Sequence, residues 1–278
     1  MLRKKKSLSQ KVPKTNQMHK PYGLLKRIWL WIVFWVNAKP WQTIHSPYIY
    51  KLVEKINKTP LDRSKFRSVE NLRRSLRGDD STVTFSDLGQ NGLKRERKIS
   101  DIAKTSAKNR VLCFILAEII DYVKPEVAIE LGTSLGISYA YQAITSPETT
   151  FYTLEGSKEI AELASQNLNS LGLFANIKIG HFDNTLPSVL EDLKTIDYAF
   201  VDGNHQYEPT VNYFEQLVSH LTPNGCIIFD DIYWSNGMQQ AWKEIIKDKR
   251  VTLSVDCYHF GLVFIRPGVV KQHFNVRL

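Results

Sequence analysis

Carboxylates stand at the ends of apolar runs along this chain. Cys226–Phe229 stops at two adjacent acids, Asp230 and Asp231, and Tyr198–Val201 stops at Asp202, with His205 three residues further on. Phe151–Leu154 ends at Glu155, and Val127–Leu131 contains Glu130 and leads into Gly132 and Gly136. Like charges side by side raise a carboxyl pKa unless something positive compensates them. Asp202, Asp230 and Asp231 converging on one point would make an oxygen-rich site suited to Mg2+ or a similar hard cation. Equally open is a reading in which Asp230 bonds a ligand amino group or a loop N–H while Asp231 faces solvent or caps the turn before Trp234. The imidazole of His205 suits a general base for an acceptor hydroxyl near pH 7, or it braces its loop. Glu155, 23 residues beyond Gly132, is placed to accept hydrogen bonds from both hydroxyls of a ribose, or to serve as a first-turn acid of the next helix.

These residues need elements to hold them. After Pro125, strand candidates at Val127–Leu131, Phe151–Leu154, Ala175–Ile179, Tyr198–Val201 and Cys226–Phe229 alternate with helical stretches such as Ser157–Leu171 and Pro209–Leu221. That rhythm predicts an α/β doubly wound parallel sheet, whose ligands sit at the carboxyl ends of the strands. Thr252–Asp256 and Gly261–Arg266 are joined by too few residues for a crossover helix, so the last pair is antiparallel. Gly132 and Gly136 flank a tight turn before a helix that starts near Ile137, and small residues there let backbone approach a nucleotide.

The segments ELGTSLGIS, LEGS, GHFDNTL, FVDGNHQYEPT and GCIIFDDIYW occur in the order and spacing of class I S-adenosylmethionine-dependent methyltransferases. Over roughly residues 110–266 the chain resembles most the O-methyltransferase-like branch, whose fourth strand ends in Asp-Gly-x-His and whose fifth ends in paired Asp. The resemblance implies a seven-stranded sheet with the last strand antiparallel, S-adenosyl-L-methionine as cofactor and a small-molecule acceptor. It also implies that Glu130, Gly132 and Gly136 hold the methionine end, Glu155 the ribose, and His181 and Phe182 the adenine edge. Thr133, Ser134 and Gly156 lie beside them in cofactor contact, and Asp202 and Asp230 face the transferred methyl group. In the metal-dependent relatives a cation binds the acceptor oxygen, which would give Asp202, Asp230 and Asp231 that task. Two positions depart from the pattern: Ser134 stands at the usual middle glycine, and His181 follows Gly180 where Asp is common.

The net charge of +9 is unevenly spread. Residues 1–53 hold 11 Lys or Arg and no acid, residues 54–110 hold 15 basic against 8 acidic, and residues 111–278 hold 11 against 20. The domain with the motifs is therefore acidic, which argues against a phosphate-tracking nucleic-acid groove there. Residues 1–22 read as a basic disordered arm, 23–109 as a helical N-terminal extension or cap, and 110–278 as the cofactor-binding domain. Within the extension, Leu52, Val53 and Ile56 mark one helical face, NLRRSLRGDD a basic helix closed by Gly78, and FSDLGQNGLK a turn-rich connection.

Ile28–Val36 is apolar, contains three tryptophans and is too short to span a bilayer, which needs about 20 residues. It is a helix packed on the main domain, an interfacial anchor giving residues 24–41 a peripheral membrane contact, or a signal segment cleaved after Ala38. Three cysteines, far apart and without metal-ligand spacing, suggest neither disulfides nor zinc and fit a reducing cytoplasm. Three functions follow. They are a small-molecule O-methyltransferase, an N- or macromolecule methyltransferase that docks through its basic N-terminal region, and a non-catalytic binder that keeps only the fold.

Overall fold

The structure, a computed structural model, describes residues 18–58, 60–87 and 93–278. Most of the basic arm and the centre of the FSDLGQNGLK connection lie outside the described residues. The described part of the arm is packed: Tyr22 N–H donates to the Trp234 carbonyl at 2.9 Å, and Pro21 bridges Ser235.

The extension begins with α1 (Leu24–Asn37), α2 (Pro47–Lys58) and α3 (Arg67–Arg77). In α2, Ile49, Leu52 and Val53 fall at helical spacing and are buried, while Lys55 and Lys58 in the last turn favour the negative end of the helix dipole. Gly78 closes α3, as its sequence position predicts. The next segment, expected as a turn-rich connection between helices, adds two strands to the helical extension. Strands β1 (Thr82–Asp87) and β2 (Leu93–Lys98) pair as an antiparallel hairpin, and β1 packs on the helix that follows the second strand of the main sheet. Helices α4 (Ile99–Thr105) and α5 (Arg110–Val123) follow, and α5 is capped at its start by Asn109, whose Oδ1 accepts from Leu112 N–H at 2.9 Å.

The main unit alternates β3 (Val127–Leu131), α6 (Ile137–Thr145), β4 (Thr150–Glu155), α7 (Lys158–Ser170), β5 (Asn176–Ile179), α8 (Phe182–Leu193), β6 (Ile196–Val201), α9 (Tyr207–His220), β7 (Leu221–Asp230) and α10 (Asn236–Ile245). It ends with β8 (Leu253–Asp256), β9 (Phe260–Phe264) and β10 (Gln272–Asn275). The sheet order is β10-β8-β9-β7-β6-β3-β4-β5, and β9 runs antiparallel to both β7 and β8. The seven expected strands are all present. An eighth, β10, pairs in parallel with β8 and covers its open edge. The boundary expected after residue 109 is crossed by the core. Ile49, Phe66, Val69 and Ile102 of the extension share one buried cluster with Leu116, Phe200 and Ile228.

The parallel register sets up the site. Leu131 pairs with both Leu154 and Val201, and Val201 pairs with Phe229. The next residue of each strand, Gly132, Glu155, Asp202 and Asp230, therefore falls in one row along the carboxyl edge, where strand twist opens a crevice.

Candidate active site

A cavity of about 490 Å3 opens along that row. Its floor comes from Gly132, Ser134, Glu155, Asp202, His205 and Asp231, and the β1–β2 hairpin overhangs it with Phe85, Ser86, Arg95 and Arg97. Gly132 has φ +102, and a Cβ there would meet the Asp202 carbonyl oxygen at 2.2 Å, so no side chain fits. Ser134, at φ +48, holds the left-handed conformation that a glycine would adopt more readily, and its N–H donates to Glu155 Oε2 at 2.9 Å. The other oxygen, Oε1, accepts from Ser157 N–H at 3.1 Å. Burial raises the Glu155 pKa while these N–H donors pull it down. With two acceptor sites per oxygen, the carboxylate can still bind a diol.

The cofactor residues expected from sequence fall into two groups. Gly132, Ser134, Glu155, Gly156, His181, Phe182 and Asp202 line the cavity. His181 also caps α8, its Nδ1 accepting from Asp183 N–H at 3.3 Å, and the edge of Phe182 meets Tyr213. Glu130, Thr133 and Gly136 stand behind the turn and do not line the cavity. Glu130 is fully buried and accepts from Ser138 at 2.7 Å, Thr153 at 3.0 Å and Gln142 at 3.3 Å; burial pushes its pKa up to about 7 against those donors. Thr133 shares a 2.7 Å hydroxyl contact with Thr153. A Cβ on Gly136 would meet Leu168 of α7, so this glycine allows close packing of the turn on that helix. These three shape the turn from below.

The carboxylates are already compensated. Lys108, on the loop between α4 and α5, puts its ammonium 2.7 Å from Asp202 Oδ1 and against Asp230 Oδ2. Burial opposes the lysine charge, but Asp202, Asp230 and Asp231 together raise its pKa above the ordinary value, so it stays protonated. Asp202 is pushed well up by burial, with Lys108 pulling the other way. The Mg2+ alternative finds no support here: a primary ammonium fills the place where the carboxylates converge, and with it present the donor set does not fit a divalent cation. Among the described residues no group of three His, Cys, Asp or Glu is placed to hold a metal.

Lys108 is fixed from behind. Its carbonyl accepts from the Arg73 guanidinium, which also donates to Glu70 Oε1 at 3.0 Å and to Cys113 Sγ at 3.4 Å.

His205 Nε2 lies 3.6 Å from Asp202 Oδ1 and 3.8 Å from Asp231 Oδ2. Burial lowers the imidazole pKa, partly offset by Asp231, so the ring is neutral at pH 7. Asp231 is turned toward it by a left-handed backbone, φ +53, held by a 2.7 Å bond from its N–H to the His259 carbonyl. Trp234 lines the mouth, with its ring centroid 6.5 Å from that of His205. The sequence reading did not single out Lys108, Ser157 or the hairpin arginines. The signal that could have found Lys108 was the excess of strand-end acids, which requires a cation from elsewhere in the chain.

Residues 129–232 match the family described as "Methyltransferase domain". An uncharacterised protein of Acanthamoeba polyphaga mimivirus is 34% identical over 77 residues, which is 26% of this chain and 35% of that protein. Caffeoyl-CoA O-methyltransferase 2 of Zea mays is 27% identical over 128 residues, 43% of this chain and 47% of that one. The chain thus spans between a third and a half of the length of these curated relatives. The crystal structure of a Podospora anserina methyltransferase bound to S-adenosylhomocysteine superposes with a TM-score of 0.54 at 14% identity, covering 88% of this chain and 97% of that one. The floor of the cavity is therefore built mostly from residues 129–232, the stretch similar to that family, in a sheet whose fold is that of the Podospora structure.

Proposed function

We propose that the chain transfers a methyl group from S-adenosyl-L-methionine to a hydroxyl oxygen of a small-molecule acceptor. The observation that carries this reading is that a histidine, His205, and an ammonium, Lys108, meet at the same Asp202 oxygen in a cavity that Gly132, Ser134 and Glu155 also line. The name of the maize relative points to the same acceptor atom. The wall residues fit the cofactor. Gly132 leaves backbone bare, Glu155 presents a carboxylate to the ribose hydroxyls, and Phe182 offers a ring face for the adenine.

When bound, the cofactor supplies an electrophilic methyl group on a sulfonium. His205 takes the acceptor hydroxyl proton on Nε2, and Asp202 and Asp231 stabilise the resulting imidazolium. Lys108 directs two of its three N–H groups at Asp202 and Asp230 and keeps one for the acceptor oxygen, whose developing charge it offsets. Transfer of that methyl group to the acceptor oxygen would leave S-adenosylhomocysteine and the methyl ether, with the acceptor's proton held on His205. Because the cation is covalently part of the chain, turnover is insensitive to EDTA.

The test is calorimetry with S-adenosylhomocysteine, followed by methyl transfer from labelled cofactor to a panel of phenols and catechols. His205→Gln should lower turnover by about 10²-fold or more with cofactor affinity unchanged. Absence of binding at millimolar cofactor refutes the reading, as does unaltered turnover in the variant.

A further inference from the structure

We infer that α1 is an interfacial helix that docks the protein onto an anionic lipid surface. Only Leu30 and Phe34 of its fourteen residues are buried; with Ala38 they pack on Tyr258, with Tyr22 and Tyr233 alongside. The opposite face is apolar and uncovered. Leu25, Ile28, Trp29, Ile32 and Val36 recur at spacings of three, one, three and four, and they are flanked by Leu24, Trp31 and Trp35. Leu25 is 85% exposed, Trp29 54% and Trp35 50%. A stripe this long is uncommon on a surface that meets only water.

Length and charge identify the occupant. Fourteen residues reach about 21 Å, short of the roughly 30 Å hydrocarbon layer, and no described helix is long and apolar enough to cross a membrane. Lying in the interface is the geometry left, and indole rings prefer that depth. Cations frame the stripe: Lys26 Nζ is 4.3 Å from the Trp29 ring centroid, and the Arg277 guanidinium is 4.5 Å from that of Trp35. Residues 1–53 carry 11 Lys or Arg and no acid. Two copies meeting through this face would bring the Lys26 and Arg277 cations of one against those of the other. Anionic headgroups supply the missing counter-charge. The helix also adjoins the cavity mouth, with Arg27 lying 5.4 Å from the ring centroid of Trp234, so docking sets the active site beside the headgroups.

The experiment is co-sedimentation of the full chain with vesicles of phosphatidylcholine alone and of phosphatidylcholine mixed with phosphatidylglycerol, across a salt series. The expected result is binding at least about tenfold stronger to the anionic vesicles, weakening as salt rises, with a blue shift of tryptophan emission. The double variant Trp29→Ser, Ile32→Ser should lose that binding while keeping its melting temperature and its affinity for S-adenosylhomocysteine, because neither side chain is buried. Three results overturn the proposal: no association with anionic vesicles, association that the double variant leaves unchanged, or a dimer in sedimentation velocity that the double variant abolishes.

Discussion

Replacing Lys108 with methionine keeps most of the side-chain volume and removes the charge. In the parent, the ammonium is in contact with two carboxylates that are themselves nearly inaccessible, at 9% for the Asp202 side chain and 3% for that of Asp230. Breaking a buried pair by deleting one partner costs about 3–5 kcal/mol, because the remaining charges stay desolvated. Here two carboxylates lose one shared partner and Asp231 stands beside them, so the upper half of that range applies. For a domain of this size, with about 2–4 °C lost per kcal/mol, the melting temperature should fall by roughly 10 °C. Deleting the ammonium raises the carboxyl pKa values further, so protonation relieves the cost in acid, and the deficit should be larger at pH 8 than at pH 5. The vacated oxygen cluster should then accept a hard cation, and Mn2+ or Mg2+ should recover part of the loss in the variant while leaving the parent unchanged. Differential scanning calorimetry at the two pH values, with and without metal, measures all of this. A variant that melts within a degree or two of the parent at pH 8 would refute the claim that Lys108 holds the site together.

Other outcomes follow from single contacts. Glu155→Ala should weaken S-adenosylhomocysteine binding by about 1–3 kcal/mol in calorimetry, since it removes the proposed ribose acceptor and leaves the Ser134 and Ser157 N–H groups without their carboxylate partner. Gly132→Ala should destabilise by roughly 3 kcal/mol and abolish cofactor binding, because the new Cβ meets the Asp202 carbonyl at 2.2 Å. Glu130 has a native pKa of about 7, raised by burial from 4.5. The native state therefore holds this proton more tightly than the unfolded chain, and its contribution falls by about 3 kcal/mol as pH rises from roughly 4.5 to 7. Glu130→Gln should melt progressively higher than the parent as pH goes from 5 to 8, and a constant difference would sink that reasoning.

The parts of this site that could be read in the sequence share one property: they follow from strand periodicity. Runs such as Val127–Leu131 and Tyr198–Val201 are apolar because both faces of a parallel sheet are covered, and their first polar residues mark the carboxyl edge. Gly132, Glu155, Asp202, Asp230 and Asp231 are visible for that reason. The β1–β2 hairpin is not, since β2 reads LKRERK, charged at every position from Lys94 to Lys98, with those side chains mostly exposed; Val83 and Phe85 of β1 pack against the core. The strand β10 is four residues of mixed polarity on an edge, below the length at which alternation is informative. Lys108 is one of 15 basic residues in its segment and belongs to no motif. Its role depends on contacts 94 and 122 residues away in the chain, and local pattern does not carry such distances. Glu130 and Thr133 were legible as motif positions, but which side of the turn their side chains occupy was not.

The tie between the two ends of the described chain bears on when the molecule acquires its shape. Lys39, just past α1, donates its N–H to the Asn275 carbonyl at 3.1 Å and bridges Val276, while Tyr22 before the helix is bonded to Trp234. Both anchor points are made late in synthesis. At about 5–20 residues per second, the ribosome leaves α1 without its partners for on the order of 10–50 s. Throughout that interval Leu30 and Phe34, the two residues that the helix buries in the finished fold, have no protein surface to rest on. A nascent chain near a bilayer can therefore meet lipid before it meets its own last strand, and trimming residues 272–276 would loosen a helix that was made first.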